Sequence, residues 1–128
     1  MTVTVANRQR AHRVNVARLK RLVPACLKTL SIVLDNDAEM ARLNLRYHDT
    51  PGTTDILTFD YGDGEAELII SVERAVAQAR QFHTTPSREL ALYVVHGVLH
   101  LTGYDDRTPA QRRRMRAAER RLVAGLDF

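Results

Sequence analysis

The chain has a single cysteine, Cys26, so no internal disulfide can form, and a reducing compartment suits it. No apolar run approaches the length of a membrane-crossing helix, which excludes a helical membrane anchor. The first residues lack the charged-then-apolar pattern of a secretory signal. There is no internal repeat, low-complexity segment or linker, and 128 residues suffice for one sizeable core but not for two. These absences predict a cytoplasmic protein with one domain over residues 1–128 and no membrane partner. Cys26 falls on an apolar helical stripe and reads as a small buried hydrophobe, not a nucleophile.

Hydrophobic content of 45% and charged content of 27% are ordinary for a soluble globular chain. The net charge is +4, and apart from Lys20 and Lys28 every cation is arginine. Arginine suits bidentate contact with phosphate, so a polyanionic partner fits. Arginine-biased codon usage would give the same composition, so charge alone decides little.

Alternating Thr2, Val3, Thr4 and Val5 predict a first strand over Met1 to Ala6. Asn15 can cap a helix with the stripe Leu19, Val23, Cys26 and Leu30, which Pro24 should kink or split. Ser31 to Leu34 reads as a second strand. Asn36 with Glu39 resembles a capping box and opens a helix to about Tyr47, with Met40, Leu43 and Tyr47 inward. His48 to Thr54 is a polar loop with a Pro51-Gly52 turn signal. Asp55 to Phe59 and Glu67 to Ser71 read as strands joined by a turn over Asp60 to Gly64, most simply an antiparallel pair. Ser71 caps a helix with Val72, Ala75, Val76 and Ala79 on one stripe. Thr85-Pro86 starts another with Leu90, Ala91, Val94 and Val98 facing the core. Glu89, Tyr93, His96 and His100 run down its neighbouring stripe. Thr108 with Gln111 opens the last helix, whose stripe is Met115, Ala118, Leu122 and Val123, with Gly125 ending it. The order β-α-β-α-β-β-α-α-α predicts an α+β fold: a small mixed four-stranded sheet with about five helices.

The chemistry concentrates in His96-Gly97-Val98-Leu99-His100-Leu101-Thr102-Gly103-Tyr104-Asp105-Asp106. Histidines at i and i+4 share one helix face, and both rings can reach one ion. Gly103 suits a helix stop that needs positive φ, after which Asp106 can return beneath the imidazoles. Two His nitrogens and one carboxylate leave an open coordination position, the layout of a catalytic zinc site. A buried helix with coincidental one-turn histidine spacing is the plainer alternative for the pair alone. The spacing also echoes the metzincin peptidases, but these carry a general-base Glu directly after the first His, where this chain has Gly97. Peptide hydrolysis by that route is disfavoured.

The run His96 to Asp105 resembles, at every fixed residue, the His-Gly-x-Leu-His-Leu-x-Gly-Tyr-Asp-His motif of the YbeY family of bacterial rRNA maturation factors. Leu43-Asn44 with Tyr47, the run Thr54-Asp55-Ile56-Leu57-Thr58-Phe59 and the run Leu68-Ile69-Ile70-Ser71 are also similar to the family's. The resemblance spans roughly residues 30 to 125. It implies a metal-dependent endoribonuclease of single-stranded RNA, acting at the 3′ end of small-subunit rRNA and in ribosome quality control. Implied partners are ribosomal RNA and ribosomal subunits, with ribosomal proteins or a GTPase as further candidates. Implied metal ligands are His96, His100 and Asp106, holding one divalent ion, foremost Zn2+.

The chain departs from the family pattern in three places. Asp106 replaces a third histidine, and a carboxylate can bind zinc there. His48 replaces an arginine thought to face the phosphate, and Ala66-Glu67 replaces Gly-Asp. His48 is thus the candidate catalytic residue, although imidazole carries only part of a charge near neutrality. Arg46 could substitute for the arginine, and Arg46 and Thr54 are the candidate substrate contacts. Asp105 is expected to fix the turn or a ligand histidine rather than act as a base. His12, His83 and the Arg112-Arg113-Arg114-Arg116 cluster read as solvated surface. A non-cleaving ribosome-assembly factor with a structural metal is the rival function, and a small metallopeptidase the weaker one.

Overall fold

The computed structural model describes residues 2–21 and 28–123. Its elements follow the expected order: β1 (Thr2–Asn7), α1 (Val16–Arg21), β2 (Thr29–Asp35), α2 (Asp37–His48), β3 (Ile56–Gly62), β4 (Glu65–Ser71), α3 (Val72–Phe82), α4 (Pro86–Leu101) and α5 (Pro109–Val123). The sheet order is β1-β2-β4-β3. β1, β2 and β4 run parallel, and β3 pairs antiparallel with β4. This is the α+β arrangement that the sequence order predicts.

Strand alternation sorts the sheet's two faces. Leu30, Ile32 and Leu34 of β2 and Ala66, Leu68 and Ile70 of β4 pack against Leu19 of α1, Val72 and Ala75 of α3, and Leu90, Ala91, Val94 and Val98 of α4. Val33, Leu57 and Ile69 point the other way and are covered by Met40 of α2, with Leu43 and Phe59 beside them. Burying each such Leu or Ile stabilises the fold by about 1.5–3 kcal/mol. A separate cluster of Val95, Leu99, Met115, Ala118 and Val123 packs α5 onto α4.

The caps fall where the side chains dictate. Asn36 accepts from Glu39 N, Ser71 from Arg74 N and Thr85 from Arg88 N, each at a helix N-terminus. Thr108 and Gln111 bond reciprocally, Thr108 N donating to Gln111 Oε1 at 3.0 Å and Gln111 N to Thr108 Oγ1 at 3.1 Å. Asp63 (φ 53°) and Gly64 (φ 77°) form the tight turn between β3 and β4, since a two-residue hairpin needs positive φ at both positions. A register shift between Asp60 and Gly62 bulges β3 beside that turn.

Four expectations need correction. Leu30 belongs to β2 rather than to the first helix, because Leu30 is paired with Val3 and Ala66 and fully buried. Its spacing from Leu19 mimics a helical stripe; Val23, Pro24 and Cys26 lie outside the described residues, as does Gly125. Tyr47 is 55% exposed, not inward, because α2 has run past the buried sheet surface by its last turn. His48 is the last residue of α2 rather than a loop residue, and Asp49 closes the helix at φ 50°. Leu122 is 41% exposed, leaving Val123 as the buried end of its stripe.

Candidate metal centre

α4 carries the centre, and its packing explains the centre's orientation. Gly97 is buried against the sheet: a Cβ there would lie 2.7 Å from Leu68 Cδ2 and 2.8 Å from Ile56 Cδ1. The residue after the first histidine therefore faces the core, not the site. The position that a peptidase would use for its general base has no room for a side chain. His96 and His100 lie on the half-exposed side of the same helix, with ring centroids 4.8 Å apart.

The helix then stops sharply. Tyr104 N donates to Leu99 O at 3.0 Å, Gly103 N donates to His100 O at 3.2 Å, and Gly103 has φ 110°. These are the two bonds of a Schellman stop with glycine in the left-handed position. Tyr104 packs on the cluster containing Leu99, which pins the reversal. Asp105 Oδ1 then accepts from Asp106 N at 2.8 Å, and Arg112 donates to Asp106 O at 3.1 Å. Asp105 thus fixes the turn, as expected of it. One member of the arginine cluster holds that turn too, while Arg113, Arg114 and Arg116 are exposed.

One donor atom from each of His96, His100 and Asp106 lies within 4.8 Å of the others, and His100 Nε2 is 3.5 Å from Asp106 Oδ2. Ligands about 2.1 Å from a tetrahedral ion stand roughly 3.4 Å apart, a spacing the His100–Asp106 pair already has. The three could hold a metal ion.

Glu119 of α5 is the residue that the sequence reading misses. Its Oε1 lies 2.6 Å from His96 Nδ1. An ionised carboxylate can only accept, so in the neutral imidazole this contact selects the Nδ1–H tautomer, whose Nε2 keeps the lone pair. The group that could hold a metal ion is thus two imidazoles and a carboxylate, with a second carboxylate against one ring. Glu119 follows Met115 by one helical turn, and an acid on a buried stripe is the signal that could have found it.

Tyr93 lies one turn before His96, its hydroxyl buried with no hydrogen-bond partner among the described residues. Burial, and then the carboxylates of Asp55 and Glu89, push its phenol above the usual range. Asp55, Glu89, Tyr93, His96 and Glu119 line a groove of about 310 Å³ between α3, α4 and α5.

His48 is not in the His96 group. It packs on Phe59, ring centroids 6.0 Å apart, at the end of α2 and hence toward the sheet face that α2 covers. Arg46 places its guanidinium 5.3 Å from the centroid of Tyr47. Thr54 is half-buried in the loop before β3. His83 is an exposed left-handed cap of α3, whereas His12 is half-buried, its backbone N–H and carbonyl bonded to Gln9.

A mixed sheet packed by a helix ending in convergent His, His and Asp donors defines a small α+β protein with a group that could hold a metal ion. The endoribonuclease YbeY family profile matches residues 4–127. An endoribonuclease YbeY of Roseiflexus sp. (strain RS-1) is 38% identical over 113 residues, 77% of this chain and 71% of that protein. One of Geobacter metallireducens is 31% identical over 145 residues, 99% of this chain and 97% of that protein. A solution structure of a Thermotoga maritima protein superposes with a TM-score of 0.62 at 21% identity, over 97% of this chain and 90% of that one. The chain belongs to the endoribonuclease YbeY family. Among its described residues no helix is long and apolar enough to cross a membrane.

Proposed function

We propose that the protein is a metal-dependent endoribonuclease of the cytoplasm that matures ribosomal RNA, cutting single-stranded RNA near the small-subunit 3′ end. The observation that carries the metal dependence is the convergence of His96, His100 and Asp106 at the end of α4, with Glu119 orienting His96. In this reading these three residues hold one divalent ion, foremost Zn2+. Such an ion, when bound, acidifies water and polarises a phosphodiester oxygen.

The protein's own residues do the rest. Glu119 keeps the His96 proton on Nδ1 and the ring fixed. Asp105 and Arg112 hold the Asp106 turn so that its carboxylate faces His100. The chain's net charge of +4 favours approach of RNA. His48 is proposed to contact the RNA, with Arg46 and Thr54 as further contacts. His48 adjoins β3, an edge strand of the sheet, so RNA crossing from the α4 side would pass that edge to reach it. Ribosomal subunits, and ribosomal proteins or a GTPase, are the expected company of such an enzyme.

The test is an RNA-cleavage assay on purified protein with and without chelator, paired with metal analysis. Chelator-sensitive cutting of unpaired RNA by a protein holding one zinc per chain is expected. The replacement of the family arginine by His48 favours the second reading, a non-cleaving assembly factor. Metal-bound protein that binds rRNA and cuts none would establish that second reading in its place.

A further inference from the structure

Tyr47, Phe59 and Tyr61 form an aromatic patch away from the metal centre. Tyr47 lies in the last turn of α2, while Phe59 and Tyr61 lie two residues apart on β3 with their rings side by side. Tyr47 and Tyr61 are 55% and 63% exposed, an unusual display for large rings in a chain with 5% aromatic residues. Phe59 and Tyr61 are nearly parallel, 8° apart with centroids 6.4 Å apart, and Tyr47 meets Phe59 edge-on at 5.7 Å. The Tyr61 hydroxyl donates to Glu67 Oε1 at 2.9 Å, which fixes its ring.

We propose that this face is a stacking platform for unpaired bases of the RNA substrate, outside the cleavage centre. The proposal rests on the endoribonuclease reading and adds to it how a single strand would be chosen. Every base has an apolar face, and fixed, exposed rings on a strand receive such faces without reading sequence. The rings of Phe59 and Tyr61 stand 6.4 Å apart, so neighbouring rings can serve separate bases. Arg46 over Tyr47 puts positive charge at the α2 rim where a phosphate would follow. On the β3 side, Glu67 is engaged by Tyr61 and Asp60 by the N–H of Gly62. Duplex bases are already stacked on one another, so the platform favours single strands.

The test measures binding of a fluorescein-labelled oligoadenylate to the full chain in chelator, beside its duplex with oligouridylate. The parent should bind the single strand more tightly than the duplex. Tyr47→Ala and Tyr61→Ala should each weaken single-strand binding about fivefold or more. Tyr61→Phe loses the Glu67 hydrogen bond but keeps the ring, and should bind like the parent. Alanine variants that bind like the parent would overturn the platform, as would Tyr61→Phe failing as badly as Tyr61→Ala. Ring removal that changes sedimentation but not RNA affinity would assign the face to a second copy of the chain instead. Chelator-sensitive cleavage of a reference RNA by the parent tests the endoribonuclease reading separately. A cleaving parent whose alanine variants keep full RNA affinity sinks the platform alone; a parent that neither binds nor cleaves sinks both.

Discussion

His96 Nδ1 and Glu119 Oε1 stand 2.6 Å apart, joining α4 to α5 through a ring of the candidate metal group. Carboxylates behind a ligand histidine hold its tautomer and raise its basicity, and losing one costs roughly 10–100-fold in metal affinity. Glu119→Ala should weaken zinc binding by that factor. Glu119→Gln should weaken it less, because an amide oxygen still accepts from Nδ1. Competition against a zinc indicator measures both. Unchanged affinity in both variants would show that Glu119 does not act on the centre.

Asp106→Ala removes a proposed ligand outright and should lower zinc affinity by more than the roughly 10–100-fold of an outer-shell loss. Asp106→His restores a lone pair and should keep or raise affinity. The same indicator titration decides the matter. Equal affinity across parent and both variants would remove Asp106 from the ligand set.

The Gly97→Ala methyl would lie 2.7 Å from Leu68 Cδ2 and 2.8 Å from Ile56 Cδ1. Leu68 is fully buried and has little space to withdraw. Overpacking of this kind costs about 1–3 kcal/mol, while alanine's better helix propensity returns roughly 0.5–1 kcal/mol. A net loss in the urea midpoint is expected, with metal affinity falling as α4 shifts. A midpoint equal to or above the parent's would show that the sheet yields.

Ser71 Oγ accepts from Arg74 N at 3.1 Å and donates to Asp37 Oδ1 at 2.6 Å, in a fully buried position. Ser71→Ala removes a helix cap and leaves Asp37 without that donor. A loss of about 1–2 kcal/mol in urea unfolding is expected. Ser71→Thr should recover part of it, having the same hydroxyl.

Short-range rules carry most of this architecture, and so most of it was legible. Caps at Asn36, Ser71, Thr85 and Thr108 are local hydrogen bonds with local signatures. So is the His96, His100, Gly103 and Asp106 spacing. Leu30 mimics a helical position because apolar residues at helical spacing across a turn cannot be told from a stripe without their strand partners. Glu119 acts on a residue 23 positions away, and nothing near it in the chain names that partner. The aromatic patch likewise joins α2 to β3 and exists only after folding. Tyr47 shares the inward period of its helix, but that period continues beyond the surface it serves.

The bulge at Asp60 and Gly62 also shapes an open edge of the sheet. β3 is an edge strand, and a flat edge with open donors invites another strand to add to it. Here the Asp60 carboxylate occupies the Gly62 N–H at 2.9 Å, and the extra residue bends the strand out of register. A second chain cannot zip along that end without first breaking this bond and flattening the kink. The rim that displays Tyr61 to solvent is thereby guarded against aggregation through its backbone.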